Sequence, residues 1–273
     1  MVLQYKNTNV HFTSIGKGNA VVLLHGFLEN SSMWQEIAKE LAKKNRVICI
    51  DLLGHGKTGN LGYIHSMEDQ ATMVKAVLNH LRLRKYIIVG HSMGGYVALA
   101  FTKLFPLTIK GLCLMNSTAL PDSEEKKLNR DRTIKAVKQN HKIFIRIAIP
   151  MLFSLKNRKI FTQEINEITH EALQLSTQGI VASLEGMKIR KNQVSIYKTA
   201  NFSIQLIIGR QDPALEYDAL ISQTKNTSVK VIEFPDGHMS PIENKNELIK
   251  ALSSFIKSPL SPKGGTNIGM KKV

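Results

Sequence analysis

One serine in the sequence is flanked by glycines at the spacing that a nucleophilic serine requires. The segment Gly90-His91-Ser92-Met93-Gly94 follows an apolar run at 86–89 and precedes a helix-like run at 95–101. At such a strand-to-helix turn the serine backbone is strained, and the positions two before and two after it must be small. The helix that begins there directs free N–H groups and the positive end of its dipole toward an oxyanion. Ser92 is therefore the predicted nucleophile.

Two further side chains follow strand-like runs later in the chain. A serine hydroxyl attacks at neutral pH only with a base, and the base needs a third group to hold it. Asp212 follows the apolar run at 204–208, and His238 follows the run at 229–234. Because the carboxyl ends of parallel strands share one edge of a sheet, we expect both side chains to lie near the serine. We predict that His238 is the base and Asp212 its orienting acid.

A tight glycine turn, His25-Gly26-Phe27, follows another apolar run at 20–24. This turn and the segment around Ser92 resemble motifs of the α/β-hydrolase fold family, whose catalytic residues also occur in the order serine, aspartate, histidine. The chain is identified by this resemblance as a single-domain, serine esterase or lipase-like member. The resemblance implies that the backbone N–H groups of Phe27 and Met93 form the oxyanion hole.

Apolar runs and amphipathic helical segments alternate along the chain. Helical periodicity is clear at 33–44 and 67–81. The strand-like runs lie near 3–5, 10–13, 20–24, 46–50, 86–89, 110–115, 203–208 and 229–234. Alternation of this kind favours a mainly parallel sheet wrapped by helices. We therefore predict an α/β-hydrolase fold with an eight-stranded, mostly parallel sheet flanked by helices.

A long stretch between the sixth and seventh strand-like runs contains helical patterns and no convincing strand. It is too long for an ordinary connection. In the resembling family such an insertion is a helical cap over the active site. We expect a cap at 119–200, a core formed by 1–118 and 201–257, and a flexible basic tail at 258–273. The apolar segment 143–153 either lines the substrate pocket or docks the cap on the core.

The chain is strongly basic, with a net charge of +16 and a pI of about 9.8. A basic cap could attract anionic substrates, an anionic membrane or nucleic acid. Solvated surface charge is the simpler interpretation, so membrane contact is the less favoured one. No helix-turn-helix or zinc-finger spacing indicates specific nucleic-acid binding. The expected partner is a small-molecule acyl substrate, and the oligomeric state stays open.

Cysteine and histidine positions indicate no disulfide and no metal site. Cys49 and Cys113 lie inside strand-like runs and are expected to be buried thiols. No histidine has the spacing of a metal motif, so no metal or cofactor is expected, and His25, His55 and His91 are interpreted as structural. The N-terminal residues lack a secretory pattern, and no apolar stretch approaches the roughly 18 residues of a membrane span. We expect a cytoplasmic protein.

These interpretations together predict a serine hydrolase that forms an acyl-enzyme on a small or medium acyl ester, of the carboxylesterase or acylglycerol-lipase type. The serine at the turn argues against the dehalogenase and epoxide hydrolase relatives, which use an aspartate there. C–C bond hydrolases and enol-lactone hydrolases acting on anions resemble the chain about as well. A third alternative is a ligand-sensing receptor with slow turnover, which the same motifs would fit.

Overall fold

An eight-stranded sheet forms the centre of the protein in this computed structural model, which describes residues 1–257. The strands are β1 (Val2–Tyr5), β2 (Thr8–Ile15), β3 (Asn19–Leu24), β4 (Asn45–Ile50), β5 (Tyr86–His91), β6 (Ile109–Met115), β7 (Ser203–Gly209) and β8 (Lys230–Phe234). Their order in the sheet is β1-β2-β4-β3-β5-β6-β7-β8. Strands β1 and β2 pair antiparallel, β2 pairs antiparallel with β4, and all other pairs are parallel. The predicted eight-stranded, mostly parallel sheet is confirmed.

Eleven α-helices accompany the sheet within residues 1–257. They are α1 (Gln35–Ala42), α2 (Met67–His80), α3 (Met93–Leu104), α4 (Glu124–Ala148), α5 (Asn157–Ile160), α6 (Thr162–Ala172), α7 (Thr177–Lys188), α8 (Ser195–Thr199), α9 (Tyr217–Ser222), α10 (Ser240–Glu243) and α11 (Lys245–Lys257). Local side chains fix where several of them begin. The hydroxyl of Ser66, for example, accepts a hydrogen bond from the backbone N–H of Asp69 in the first turn of α2.

The sheet is buried on both faces, which explains why its central strands are continuous apolar runs. Along β3, Val22 and Leu24 point into the core shared with α2 and α3. Val21 and Leu23 point into the opposite core, which contains Trp34 and the apolar faces of α1 and α11. The strands therefore alternate between two cores, and their carboxyl ends are held at one common edge.

Five helices, α4 to α8, lie between β6 and β7 and make up the helical insertion (residues 119–200). Helix α4 is interrupted at Asn140, whose φ of −159° and ψ of 89° are not helical. The Asn140 side chain accepts a hydrogen bond from the backbone N–H of Ile143 and so begins a second helical stretch. The predicted tail at 258–273 lies outside the described residues.

Helix α7 fixes the helical insertion to the core. The backbone N–H of His65, in the loop before α2, donates to the carbonyl of Ala182 at 2.9 Å. A Cβ added at Gly186 would lie 1.8 Å from the His65 carbonyl oxygen, and one at Gly179 would lie 2.6 Å from the carbonyl oxygen of Gly54. The two glycines therefore let α7 approach the core backbone closely.

Both cysteines of the sequence are buried free thiols, Cys49 in β4 and Cys113 in β6. Burial raises the pKa of each thiol to about 12, which keeps it protonated and unreactive at neutral pH.

Within residues 1–257, no helix combines the length and the apolar character that a membrane crossing needs.

Replacing Gly186 by alanine tests the docking of α7. The added methyl group clashes with the His65 backbone carbonyl, which cannot rotate away as a side chain could. We therefore expect the free energy of unfolding, measured by urea denaturation, to fall by about 1–3 kcal/mol. Gly111→Ala is the matched control, because the nearest neighbours of its added Cβ are side-chain atoms, those of Phe255 at 3.1 Å and Ile87 at 3.6 Å, and not backbone. An equal loss in both variants would contradict the tight approach of α7.

Candidate active site

Ser92 sits on a strained turn between β5 and α3. Its φ of 49° and ψ of −115° are unfavourable for a residue with a side chain. A Cβ added at Gly94 would lie 2.4 Å from the carbonyl oxygen of Leu24, and one at Gly90 would lie 2.3 Å from that of Gly94. Glycine is therefore required at both flanking positions, as the sequence pattern indicated.

Neighbouring β6 holds this turn in place. The backbone N–H of Ser92 donates to the carbonyl of Met115 at 2.9 Å, and the Ser117 hydroxyl donates to the Ser92 carbonyl at 2.8 Å. With its backbone fixed in this way, the Ser92 side chain is left to line a cavity. Its hydroxyl makes no hydrogen bond to any group in residues 1–257, so it is free to meet a ligand.

Asp212 and His238, distant in sequence, are in contact. His238 Nδ1 lies 2.7 Å from Asp212 Oδ2, and both side chains are almost completely buried. Asp212 Oδ1 accepts hydrogen bonds from the backbone N–H groups of Ala214 and Leu215. Burial alone would raise the pKa of Asp212, but His238 and these donors outweigh burial and hold the pKa below its usual range. The aspartate is therefore ionised and orients the imidazole.

Asn116, which directly follows β6, contacts both Asp212 and the loop that carries His238. The sequence analysis missed this role. The Asn116 side-chain N–H group donates to Asp212 Oδ2 at 3.0 Å and to the carbonyl of Gly237 at 3.1 Å. Its amide oxygen accepts a hydrogen bond of 2.6 Å from the Ser240 hydroxyl. The amide thus fixes the loop that carries His238 relative to the acid. Asp236, two residues before His238, accepts a hydrogen bond from Asn244 and pairs with Lys156, and makes no hydrogen bond to the histidine within residues 1–257.

Two backbone N–H groups near Ser92 have no acceptor within the described chain, those of Phe27 and Met93. Met93 is the first residue of α3, where helix geometry leaves the N–H free. Phe27 follows the Gly26 turn, and the next residue, Leu28, has a positive φ of 66°. The backbone N–H of Leu28 donates to His55 Nε2 at 3.3 Å, which holds this conformation. Phe27 also lines the cavity that Ser92 lines.

His25 and His55 support this loop as neutral rings. His25 Nε2 accepts from the backbone N–H of Leu52 at 2.9 Å, so its Nδ1–H donates to the carbonyl of Gly26 at 2.7 Å. Burial lowers the pKa of His25, and it lowers the pKa of His55 to about 3. Both rings therefore act as fixed hydrogen-bonding groups, in agreement with the structural role that the sequence analysis gave them.

His91 and Glu29 form a buried ion pair beside the serine. Glu29 Oε2 lies 2.9 Å from His91 Nδ1 and also accepts from the backbone N–H of Gly26 at 2.6 Å. His91 Nε2 lies 2.9 Å from the carbonyl oxygen of His238. Both ring nitrogens therefore face acceptors, so both donate and the ring carries a positive charge.

The pKa shifts of the pair agree with this assignment. Burial alone would lower the pKa of His91 and raise that of Glu29. Their mutual attraction and hydrogen bond outweigh burial, so the pKa of His91 is raised and that of Glu29 is lowered. The pair connects the Gly26 turn, the serine turn and the His238 loop. The sequence analysis classed His91 as structural and missed Glu29.

A cavity of about 610 Å³ opens above Ser92 and His238. The helical insertion supplies more than half of its lining residues: Lys126, Asn129, Arg130, Thr133, Phe144, Ala148, Met151, Leu152, Leu184 and Met187. The sequence left open whether the apolar segment 143–153 lines the pocket or packs on the protein. It does both, because Phe144 and Ala148 line the cavity while Ile145 and Ile149 are buried.

A model of the alpha/beta hydrolase fold family matches residues 19–245. The chain belongs to the alpha/beta hydrolase fold family. This chain is 26% identical over 293 residues to monoacylglycerol lipase abhd6-A of Xenopus laevis, over 93% of this chain and 81% of that one. Its structure resembles an esterase from Thermogutta terrifontis, with a TM-score of 0.85, 28% identity and coverage of 92% and 93%.

Two further comparisons show a shared fold or a partial match to this chain. An enol-lactonase from Burkholderia xenovorans LB400 has a TM-score of 0.86 at 19% identity, over 94% of this chain and all of that one, which shows the shared fold. The chain spans only 31% of the length of the uncharacterized mycobacterial proteins that it matches at 36% identity over 106 residues. The family resemblance inferred from the two glycine motifs is confirmed.

In residues 1–257 no three His, Cys, Asp or Glu side chains are arranged to hold a metal ion.

Replacing Glu29 by glutamine tests the buried ion pair, because the charged His91 ring then lacks a counter-charge. We expect the free energy of unfolding, measured by urea denaturation, to fall by about 3–5 kcal/mol near pH 6. Glu36→Gln is the control, because that carboxylate is exposed and pairs only with Lys39 at the surface.

The pH dependence of this loss follows from the two pKa shifts. The lowered pKa of Glu29 gives stability that is present above about 4.5, its ordinary value, and is lost as the pH falls through the folded-state pKa. The raised pKa of His91 gives stability that is present below about 6.5 and is lost as the pH rises through the folded-state pKa. The difference between wild type and Glu29→Gln is therefore largest between pH 4.5 and 6.5. A difference that does not change with pH would contradict the ion pair.

Proposed function

We propose that this hydrolase cleaves small or medium acyl esters through an acyl-enzyme on Ser92. The observation that carries the proposal is the Asp212–His238 hydrogen bond of 2.7 Å, with His238 lining the same cavity as the strained serine. A histidine held by a buried carboxylate beside a hydroxyl on a strand-to-helix turn is the arrangement that serine acyl transfer uses. The relatives described as an esterase and a monoacylglycerol lipase favour esters as the substrate class.

The reaction begins when His238 Nε2 removes the Ser92 proton as Oγ attacks the carbonyl carbon. Because Nδ1–H donates to Asp212, the lone pair lies on Nε2, where the proton is taken. The oxygen of the tetrahedral intermediate accepts hydrogen bonds from the N–H groups of Phe27 and Met93. Collapse of the intermediate breaks the ester bond, and the leaving alkoxide receives the proton from His238.

Water completes the reaction by hydrolysing the acyl-enzyme. His238 takes a proton from the water as its oxygen attacks the acyl carbon, and the same two N–H groups hold the second oxyanion. Release of the acid returns the proton to Ser92. No hydrogen bond joins Ser92 and His238 within residues 1–257, and the proposed catalysis requires one to form in the complex, as is common among hydrolytic sites.

The helical insertion (residues 119–200) is proposed to act as a cap on a core formed by 1–118 and 201–257. The insertion supplies more than half of the residues that line the cavity, and α7 is fixed to the core through His65. A cap in this position excludes water and selects substrates by shape. The apolar residues contributed by the second half of α4 fit an acyl or alkyl chain.

A second candidate is hydrolysis of an anionic substrate, which the polar part of the cavity favours. Lys126, Asn129, Arg130 and Thr133 recur at helical spacing on one face of α4, and all four line the cavity. Lys126 forms no ion pair within residues 1–257. Arg130 pairs with Asp122, which Arg190 also neutralises, so this end of the cavity keeps a positive charge.

The first experiment measures hydrolysis of p-nitrophenyl acetate, butyrate and octanoate. We expect Ser92→Ala to lower kcat by about 10⁴-fold or more, and Asp212→Asn by about 10³–10⁴-fold, because the latter releases the imidazole from its tautomer. A rate that survives Ser92→Ala would exclude the proposed mechanism. A burst that stops after one turnover would instead indicate the ligand-sensing class.

The second experiment separates neutral from anionic esters. It compares p-nitrophenyl hemiglutarate with p-nitrophenyl valerate as substrates of wild type and Lys126→Met. We expect kcat/KM for the anionic ester to fall by about 3–10-fold relative to the neutral one, which is the size of a partly solvated charge contact. Lys138→Met is the control, because Lys138 is exposed on the same helix and does not line the cavity. Equal changes for both esters would remove the anionic candidate.

A further inference from the structure

Five large apolar side chains lie exposed along one short part of the helical insertion. They are Ile143, Ile147, Met151, Leu155 and Ile160, and between 54% and 77% of each is exposed. A side chain of this size is more stable buried than exposed to water. Exposed apolar residues concentrated in this way mark interaction surfaces in folded proteins.

Other residues of this segment supply its contacts with the rest of the protein. In the second half of α4 and at the residue after it, Ile145 and Ile149 are buried, and Phe144 and Ala148 line the catalytic cavity. Ile143 and Ile147, one helical turn apart, are left on the outer side. The helix therefore presents an apolar face that neither the core nor the cavity uses.

Basic residues accompany the apolar ones, and residues 142–160 contain no aspartate or glutamate. Lys142, Arg146, Lys156 and Lys159 are all exposed. Lys156 pairs with Asp236, whereas the other three make no ion pair within residues 1–257. We call these four cations and the five exposed apolar side chains the apolar–basic surface.

An anionic membrane is the partner that matches both properties. An interfacial segment places its apolar side chains at the boundary of the acyl chains and its lysines and arginines among the headgroups. Each basic residue near an anionic leaflet is attracted by the negative surface potential. A second copy of this chain fits poorly, because a symmetric contact would bring the same unpaired cations face to face.

We propose that the apolar–basic surface docks this hydrolase on an anionic membrane surface. Met151 belongs to this surface and also lines the catalytic cavity, so the cavity reaches the docked face. Esters dissolved in the membrane would then enter without crossing water. This consequence for the substrate rests on the proposed ester hydrolysis, whereas the docking itself does not.

Sedimentation with vesicles tests the proposal on the full 273-residue chain. The probes are vesicles of phosphatidylcholine alone and vesicles that also contain phosphatidylglycerol. Wild type is expected to bind the anionic vesicles, and to bind less as the NaCl concentration rises. The variants Ile147→Ser/Leu155→Ser and Arg146→Glu/Lys159→Glu are each expected to weaken binding by about tenfold or more.

The matched control is Leu107→Ser/Lys103→Glu, which changes an exposed leucine and an exposed lysine near the end of α3. Binding by this control is expected to remain at least half that of wild type. Equal losses in the control and the surface variants would overturn the proposal, because they would indicate an effect of net charge. Absence of binding to anionic vesicles would overturn it as well.

Two further measurements separate membrane docking from catalysis and from self-association. The surface variants change no cavity residue, so their hydrolysis of water-soluble p-nitrophenyl butyrate is expected to equal that of wild type. Ser92→Ala is expected to bind vesicles like wild type. The docking experiment can therefore be interpreted even if the proposed catalysis is wrong. Light scattering measures whether wild type self-associates. If it does, and if Ile147→Ser/Leu155→Ser abolishes the self-association, the surface binds a second copy and the membrane proposal is overturned.

Discussion

The buried ion pair of Glu29 and His91 is the interaction on which the geometry of the active site depends. Placing two charges in a protein interior costs more than their attraction returns unless every remaining polar atom is satisfied. Here the partners that satisfy them are parts of the site: the N–H of Gly26 and the carbonyl of His238. Satisfying the charges therefore fixes the Gly26 turn and the His238 loop relative to the serine turn. A neutral pair of the same shape would supply fewer and weaker hydrogen bonds.

On the opposite side of His238, a neutral amide supports the carboxylate. The Asn116 side chain donates hydrogen bonds to Asp212 and to the carbonyl of Gly237. It stabilises Asp212 with a neutral donor, so that within residues 1–257 the carboxylate is the charge that His238 Nδ1 contacts. A carboxylate at residue 116 would bring a second negative charge against Asp212 and raise the pKa of one of the two acids. Holding the acid with an amide keeps it ionised at neutral pH.

The sequence was sufficient to predict the fold and the family, because both depend on local patterns: apolar runs, helical periodicity and glycines around a serine. The predicted positions of Asp212 and His238 followed from the common edge of a parallel sheet. Glu29 could not be found in this way, since its partner His91 is 62 positions away and nothing near it in sequence marks it. The segment 143–153 was ambiguous for a different reason. Its residues are apolar on nearly every face of the helix, so periodicity cannot tell which face is buried.

The two halves of α4 line the cavity with side chains of different kinds, basic in the first half and apolar in the second. The first half lines the cavity with Lys126 and Arg130, and the second half lines it with Phe144 and Ala148. A ligand that satisfies both halves has an anionic group and an apolar chain, and such molecules partition into membranes. The outer side of the second half carries the same combination of basic and apolar residues. The cavity and the proposed docking surface therefore favour one physical class of molecule, an amphipathic molecule with a negative charge.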